Sequence, residues 1–322
     1  MGYTARNFGR AIIMPNLVPP ITTVDAAIAY RTRVLAACPE GSTFKPLMTC
    51  YLTDNTDPDE VERGFREGVF TAVKLYPMGA TTNSEFGVSD FEKTRPVLAR
   101  LEKIGMPLLI HGEEADRGID IFDREAVFID RRLTPMIKDY PELRIVLEHL
   151  SSRLAVAFVR AAAPQLGGTI TPYHTILNRT DFLGWGLRPH YFCMPILKRE
   201  EDRLAVREAA TSGEACFFLG TDSAPHPVVL KEHAYGCAGL FNSPVAIETY
   251  TKVFDEESAL DRLEAFASLN GPAHYGLPPN EDTITLERAE WTAPEEIAVD
   301  GPEKRVHVYR GGERLEWRCL AN

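Results

Sequence analysis

Four residues able to bind a metal each close a separate apolar run: Lys74 in AVKLYP, His111 in MPLLIHGE, His149 in LRIVLEHL and Asp222 in CFFLGTDSAPH. Imidazole and carboxylate are ligands that zinc favours. A free lysine, with an ordinary pKa of about 10.4, is a poor ligand at neutral pH. Carbamylated by CO2, its side chain becomes a carboxylate on a long arm and can bridge two metals, the role expected of Lys74. A metal pair brings a water to a pKa of about 7 and polarises a carbonyl, which meets both demands of amide hydrolysis or formation at neutral pH. Asp222 would hold a metal and also accept the proton of the attacking water.

Each residue alone has a plainer reading. Lys74 could be solvated or ion-paired, His111 and His149 could be hydrogen-bonded rim histidines, and Asp222 in GTDS could cap the following turn. Their joint placement favours the metal. All four stand at C-terminal ends of strand-like runs, where the active site of an α/β barrel lies.

The elements that must position them follow from the changing period of the pattern. Short apolar runs suited to buried parallel strands occur at 10–14, 46–51, 72–76, 107–111, 144–149, 168–171 and 216–221. Amphipathic stretches with helix signals lie between them. One opens at Thr56-Asp57-Pro58 and runs through Val61, Phe65 and Val69; another starts at Ser89-Asp90 and closes at Gly105. Residues 154–163 and 200–211 read the same way. Seven strands with helical crossovers predict an α/β fold of the TIM (β/α)8 type with one strand unaccounted for. From about residue 280 the pattern alternates around Gly turns, in DTITLERAEWTAPEEI and KRVHVYRGGERLEWRCL. Residues 1–280 are therefore expected to form the barrel domain and 281–322 a small β-rich extension packed on it.

Composition narrows the function classes. A chain of 322 residues can hold one barrel of about 250 residues with additions. With 35 basic and 46 acidic residues the net charge is −11, and no basic cluster offers a nucleic-acid surface. No apolar run is long enough for a membrane helix, and no leader pattern opens the sequence. The six cysteines include no CxxC pair, so reduced thiols in a cytoplasmic protein are expected.

The stretches GRAIIMPNLVPPITT, PLMTCYLTD, FTAVKLYPMGATTNS, MPLLIHGE, TITPYH, RPHYFCMPILKRE, FLGTDSAPH and GCAGLFNSP resemble those of the short, type II dihydroorotases of the amidohydrolase superfamily. The similarity runs from about residue 8 to about residue 280, and GTDSAPH followed by GCAG is its most specific part. The resemblance implies the interconversion of N-carbamoyl-L-aspartate and L-dihydroorotate, a step of pyrimidine synthesis, on a two-zinc site. Lys74 would be the N6-carboxylysine bridging both Zn2+ ions, His111 and His149 ligands of the more buried ion, and Asp222 a ligand of the other and the catalytic base and acid. Asn16 and His226 would hold the substrate carboxylate, and backbone at Met194 and Ala238 would bond the ring amide and carboxylate. Thr81 and Thr82 match the tip of a mobile loop that closes on carbamoyl aspartate, and a homodimer is implied. His174 and His190 are expected near the rim in packing or supporting roles. Arg188 and Lys198 are open between supporting an anionic substrate and surface pairing.

The family's first strand carries a His-x-His-x-Arg stretch whose histidines bind the second zinc. No His-x-His occurs in this chain. The expectation is a dihydroorotase lacking its first strand, with its second zinc site incomplete and little or no activity as written. The alternatives are a catalytically impaired homologue acting as a partner, or another cyclic-amide hydrolase of hydantoinase type. The Asn16/His226 grip and the Thr81–Thr82 loop argue against the latter, because a neutral ring would not need them.

Overall fold

The computed structural model describes residues 1–299, 301 and 304–320, and the chain forms two compact units. The first comprises residues 1–148 with 158–168, the second residues 149–157 with 169–322.

In the first unit the apolar runs become parallel strands β1 Arg10–Ile13, β2 Lys45–Tyr51, β3 Phe70–Leu75, β4 Leu108–Ile110 and β5 Ile145–Leu147. They pair in chain order, and β5 pairs with the start of β6, Leu166–Ile170. Strands buried on both faces cannot alternate, and β4, β5 and β6 are accordingly buried at every residue. The second unit holds the end of β6 and β7 Phe217–Leu219, which completes the sheet order β1 to β7. Each observed strand overlaps the run that predicted it.

The helices begin and end where their caps dictate. Asp57 accepts from the Asp59 N–H to open Pro58–Arg66, and Asp90 accepts from the Glu92 N–H to open Phe91–Ile104. The latter stops at Gly105, which takes the left-handed conformation. Helices Arg153–Ala162 and Glu200–Thr211 lie where expected. Two further helices, Val24–Ala36 and Ala246–Glu256, were not anticipated.

The carboxyl-terminal stretch is antiparallel. Strand β8 Thr285–Thr292 pairs with β11 Arg314–Leu320, and β9 Glu296–Ala298 with β10 Arg305–His307. All six cysteines are free thiols. Among the described residues no helix is long and apolar enough to cross a membrane.

Candidate active site

In the first unit Lys74 lies near the C-terminal end of β3 and is 1% exposed. Its ammonium meets the Glu148 carboxylate, which follows β5, and stands 4.7 Å from the Tyr76 ring centre. His111 follows β4 directly; its N–H donates to Leu75 C=O, so the strand ladder itself sets its height. The ring is buried, with Nε2 3.0 Å from Glu113 Oε2. Both predicted basic ligands of this unit thus face a carboxylate that the sequence reading did not single out.

Asn16 and the Thr81–Thr82 loop come together. The Asn16 Nδ2 donates to Thr82 C=O at 3.1 Å, and the Asn83 Nδ2 donates back to Asn16 C=O at 2.9 Å. The Tyr51 hydroxyl donates to Asn83 C=O. Ser84 Oγ accepts from the Thr81 N–H and so closes the tip as a turn. The loop is held against Asn16 by reciprocal amide bonds and by Tyr51 at the end of β2.

In the second unit His149 and Asp222 share an unusual backbone. Five described residues other than glycine have positive φ, and these are two of them, at 46° and 43°; Asn83 in the loop is a third at 54°. Left-handed backbone costs a residue with a Cβ about 1 kcal/mol or more, and it persists where surroundings impose it. The surroundings are visible. The His149 N–H donates to Thr169 Oγ1 at 2.7 Å. Gly220 sits so close to Thr169 that a Cβ there would lie 2.6 Å from the Thr169 Cβ. Asn242 Nδ2 donates to Thr221 C=O, and Ser223 Oγ accepts the N–H groups of Asn242 and Ser243. The chain is thereby turned sharply at Asp222, whose Oδ2 accepts from the Tyr173 hydroxyl at 2.6 Å. Burial first, and then the Asp222 charge, push the Tyr173 phenol well above its usual range, so it remains a donor.

His226 and Ala238 are also together: the His226 ring donates to Ala238 C=O. Burial, then the charge of Lys231, lowers the His226 pKa from its ordinary value of 6.5. Met194 lies two residues beyond Phe192, whose C=O accepts from the Gly239 N–H at 2.9 Å, so its backbone is tied to the same turn.

Other expectations resolve locally. His174 is buried rather than at a rim; Nδ1 bonds Thr171 Oγ1 and Nε2 bonds Pro195 C=O. Lys198 is buried and donates to Ser151 Oγ, while Arg188 lies over the Tyr191 ring. His190 pairs with Glu232 at the surface.

Among the described residues no three His, Cys, Asp or Glu side chains converge as a ready metal cluster. The proposed set includes a lysine, which as an ammonium has three donors and no acceptor.

Comparison with known proteins decides the family. Residues 2–286 match the model of the amidohydrolase family. A dihydroorotase from Novosphingobium aromaticivorans is 58% identical over 319 residues, covering 99% of this chain and 92% of that protein. One from Parasynechococcus marenigrum is 56% identical over 320 residues, covering 99% and 91%. The chain belongs to the dihydroorotase branch of the amidohydrolase family. The crystal structure of dihydroorotase in complex with 5-fluoroorotic acid from Saccharomyces cerevisiae superposes with a TM-score of 0.91 at 31% identity, covering 99% of this chain and 91% of that one.

Four residues of this dihydroorotase-family chain escaped the sequence reading: Glu113, Glu148, Tyr173 and Lys231. Glu148 had a signal, since a carboxylate at a buried strand end needs a cationic partner. Tyr173 and Lys231 had none, because their partners lie 49 and up to 39 residues away.

Proposed function

We propose that the chain hydrolyses L-dihydroorotate to N-carbamoyl-L-aspartate and catalyses the reverse ring closure, a step of pyrimidine synthesis. The observation that carries this reading is the 56–58% identity to dihydroorotases, which extends over 99% of the chain. In the hydrolytic direction one water is consumed and the ring amide C–N bond breaks. The carbonyl carbon takes the hydroxyl, and the nitrogen takes a proton.

Lys74, His111, His149 and Asp222 are the proposed zinc ligands. Two imidazoles and a carboxylate suit zinc in kind. Lys74 as an ammonium does not, so the proposal requires its conversion to N6-carboxylysine, whose carboxylate would replace the ion pair with Glu148. When bound, the metal would supply an activated water and a polarised carbonyl. The protein's part is proton handling and grip. Asp222 accepts the proton from water and passes it to the leaving nitrogen, with Tyr173 fixing the rotation of its carboxylate. Asn16 and His226, the backbone of Met194 and Ala238, and the Thr81–Thr82 hydroxyls bind the substrate. The bonds joining Asn16 to Thr82 and His226 to Ala238 support two clusters acting as grips. We further propose a cytoplasmic homodimer, with residues 1–280 catalytic and 281–322 an extension; the family match ending at 286 supports that boundary.

The test is turnover of dihydroorotate against hydantoin and dihydrouracil, by the 322-residue chain and by any form extended upstream in its native reading frame. Zinc content and the mass of Lys74 peptides would be measured in parallel. Dihydroorotate as the one substrate turned over, zinc removable by chelation, and the added mass of one CO2 on Lys74 are expected of the active form, with the 322-residue chain, which has no His-x-His, far below any form that supplies one. Folded, zinc-loaded protein that ignores dihydroorotate and opens hydantoin would overturn the reading.

A further inference from the structure

Lys231 is 4% exposed, and all of its hydrogen-bond acceptors among the described residues are backbone carbonyls: Phe192 at 2.8 Å, Cys237 at 3.0 Å and Gly239 at 2.7 Å. An ammonium carries three donors, and here each has a partner. Burying a charge with no acid beside it costs more than burying a paired one, so the tripod needs a reason. The carbonyls it selects supply one. Two flank Ala238, and the third lies two residues before Met194. Cys237 and Gly239 also direct their N–H groups to this side, to Leu230 C=O and Phe192 C=O. Ala238, between them, uses its carbonyl with His226.

We propose that Lys231 is a positioning residue, which acts on substrate only through the backbone at Ala238 and Met194 by tying carbonyls 192, 237 and 239 to one ammonium. The inference rests on the reading of those backbone groups and His226 as the substrate grip. Direct contact is disfavoured because Lys231 is buried and all three of its donors are already committed to carbonyls. Gly239 takes its share of the strain: its φ is 137°, and a Cβ there would stand 2.7 Å from the Ala224 Cβ and 2.9 Å from the Ala224 C=O. Burial also lowers the Lys231 pKa to about 8, with the Cys193 and Cys237 thiols acting in the opposite direction, so the charged form still prevails at neutral pH.

The experiment compares the full chain with Lys231→Met and Gly239→Ala. Amide exchange of the ligand-free proteins is read at Cys237 and Gly239, whose N–H groups are bonded in the native turn. Lys231→Met is expected to speed exchange at both by about 10-fold or more while β2 to β5 remain protected. In turnover, both variants should raise KM for dihydroorotate by about 10-fold with kcat within about threefold, the mark of a lost binding contact. Unchanged exchange in folded Lys231→Met, or kcat and KM moving together with the melting temperature, would overturn the proposal. If Lys231→Met does not fold, Gly239→Ala decides, because it keeps the ammonium and distorts only the turn. Kinetics are read in whichever form turns over dihydroorotate; a folded, zinc-loaded form that opens hydantoin and ignores dihydroorotate counts against the dihydroorotase reading, whereas the exchange result bears on Lys231 alone.

Discussion

The two units present their candidate ligands in opposite ways. In the first, Lys74 and His111 extend regular strand geometry, and each meets an acid, Glu148 and Glu113. In the second, His149 and Asp222 stand on left-handed backbone and are steadied by neutral hydroxyls, Thr169 and Tyr173. Charge pairing anchors the first unit's ligands, and an imposed turn anchors those of the second. Stability and activity should therefore separate differently in the two.

The sharpest contrast sets Lys74→Met beside Asp222→Asn. In the metal-free protein, where Lys74 is an ammonium, removing it leaves Glu148 buried at a strand end without its cation, a change that costs about 3–5 kcal/mol. It should abolish turnover and lower the urea midpoint together. Asp222→Asn keeps size and can still accept from the Tyr173 hydroxyl, so stability should fall by no more than about 1 kcal/mol. Turnover should nevertheless drop by about 100-fold or more, since the proton acceptor is gone. Equal destabilisation by the two changes would remove the distinction between the units.

A smaller effect is expected at Tyr173. Replacement by Phe deletes one charge-assisted hydrogen bond of 2.6 Å to Asp222. A loss of about 1.5–3 kcal/mol follows for such a bond in a buried setting. It should appear mostly in kcat, because the phenol orients the carboxylate proposed to move the proton. If KM changes instead, Tyr173 belongs to the substrate grip and the role assigned to it is wrong.

His174 gives the most gradual signal, small at any one pH step. Burial first, then the Lys198 charge, lowers its pKa from 6.5 to about 3. The unfolded chain then binds the extra proton between those values, so folding stability is complete above pH 6.5 and declines as pH falls toward about 3. The slope is at most about 1.4 kcal/mol per pH unit from this one group. His174→Gln should flatten the urea midpoint against pH in that window; an unchanged slope would show that other groups govern it.

Legibility in the sequence followed the same division. The seven strands could be read because parallel strands buried on both faces leave continuous apolar runs. The helices Pro58–Arg66 and Phe91–Ile104 carry their caps in Asp57, Asp90 and Gly105. Helix Ala246–Glu256 was missed because eight of its eleven residues are buried, which erases the one-sided stripe that marks a surface helix. Val24–Ala36 buries only Val24, Ala27 and Val34, too few to form such a stripe. The strand-end residues of the proposed site stand out by type and spacing. The parts that aim them were not: the turn at Asp222 depends on Thr169, Tyr173 and Asn242, and the Lys231 tripod depends on carbonyls, which every residue possesses.

The close approach at Gly239 has a consequence for anyone reshaping this enzyme by directed evolution. Most positions near a substrate tolerate exchange because side chains can yield. Here the obstructions include the backbone oxygen of Ala224, and φ is already outside the range of other residues. A randomised library at this codon should return glycine almost alone, whatever substrate is selected for. New specificity would have to be sought from the neighbouring loops, with this turn left as the fixed datum from which their changes are measured.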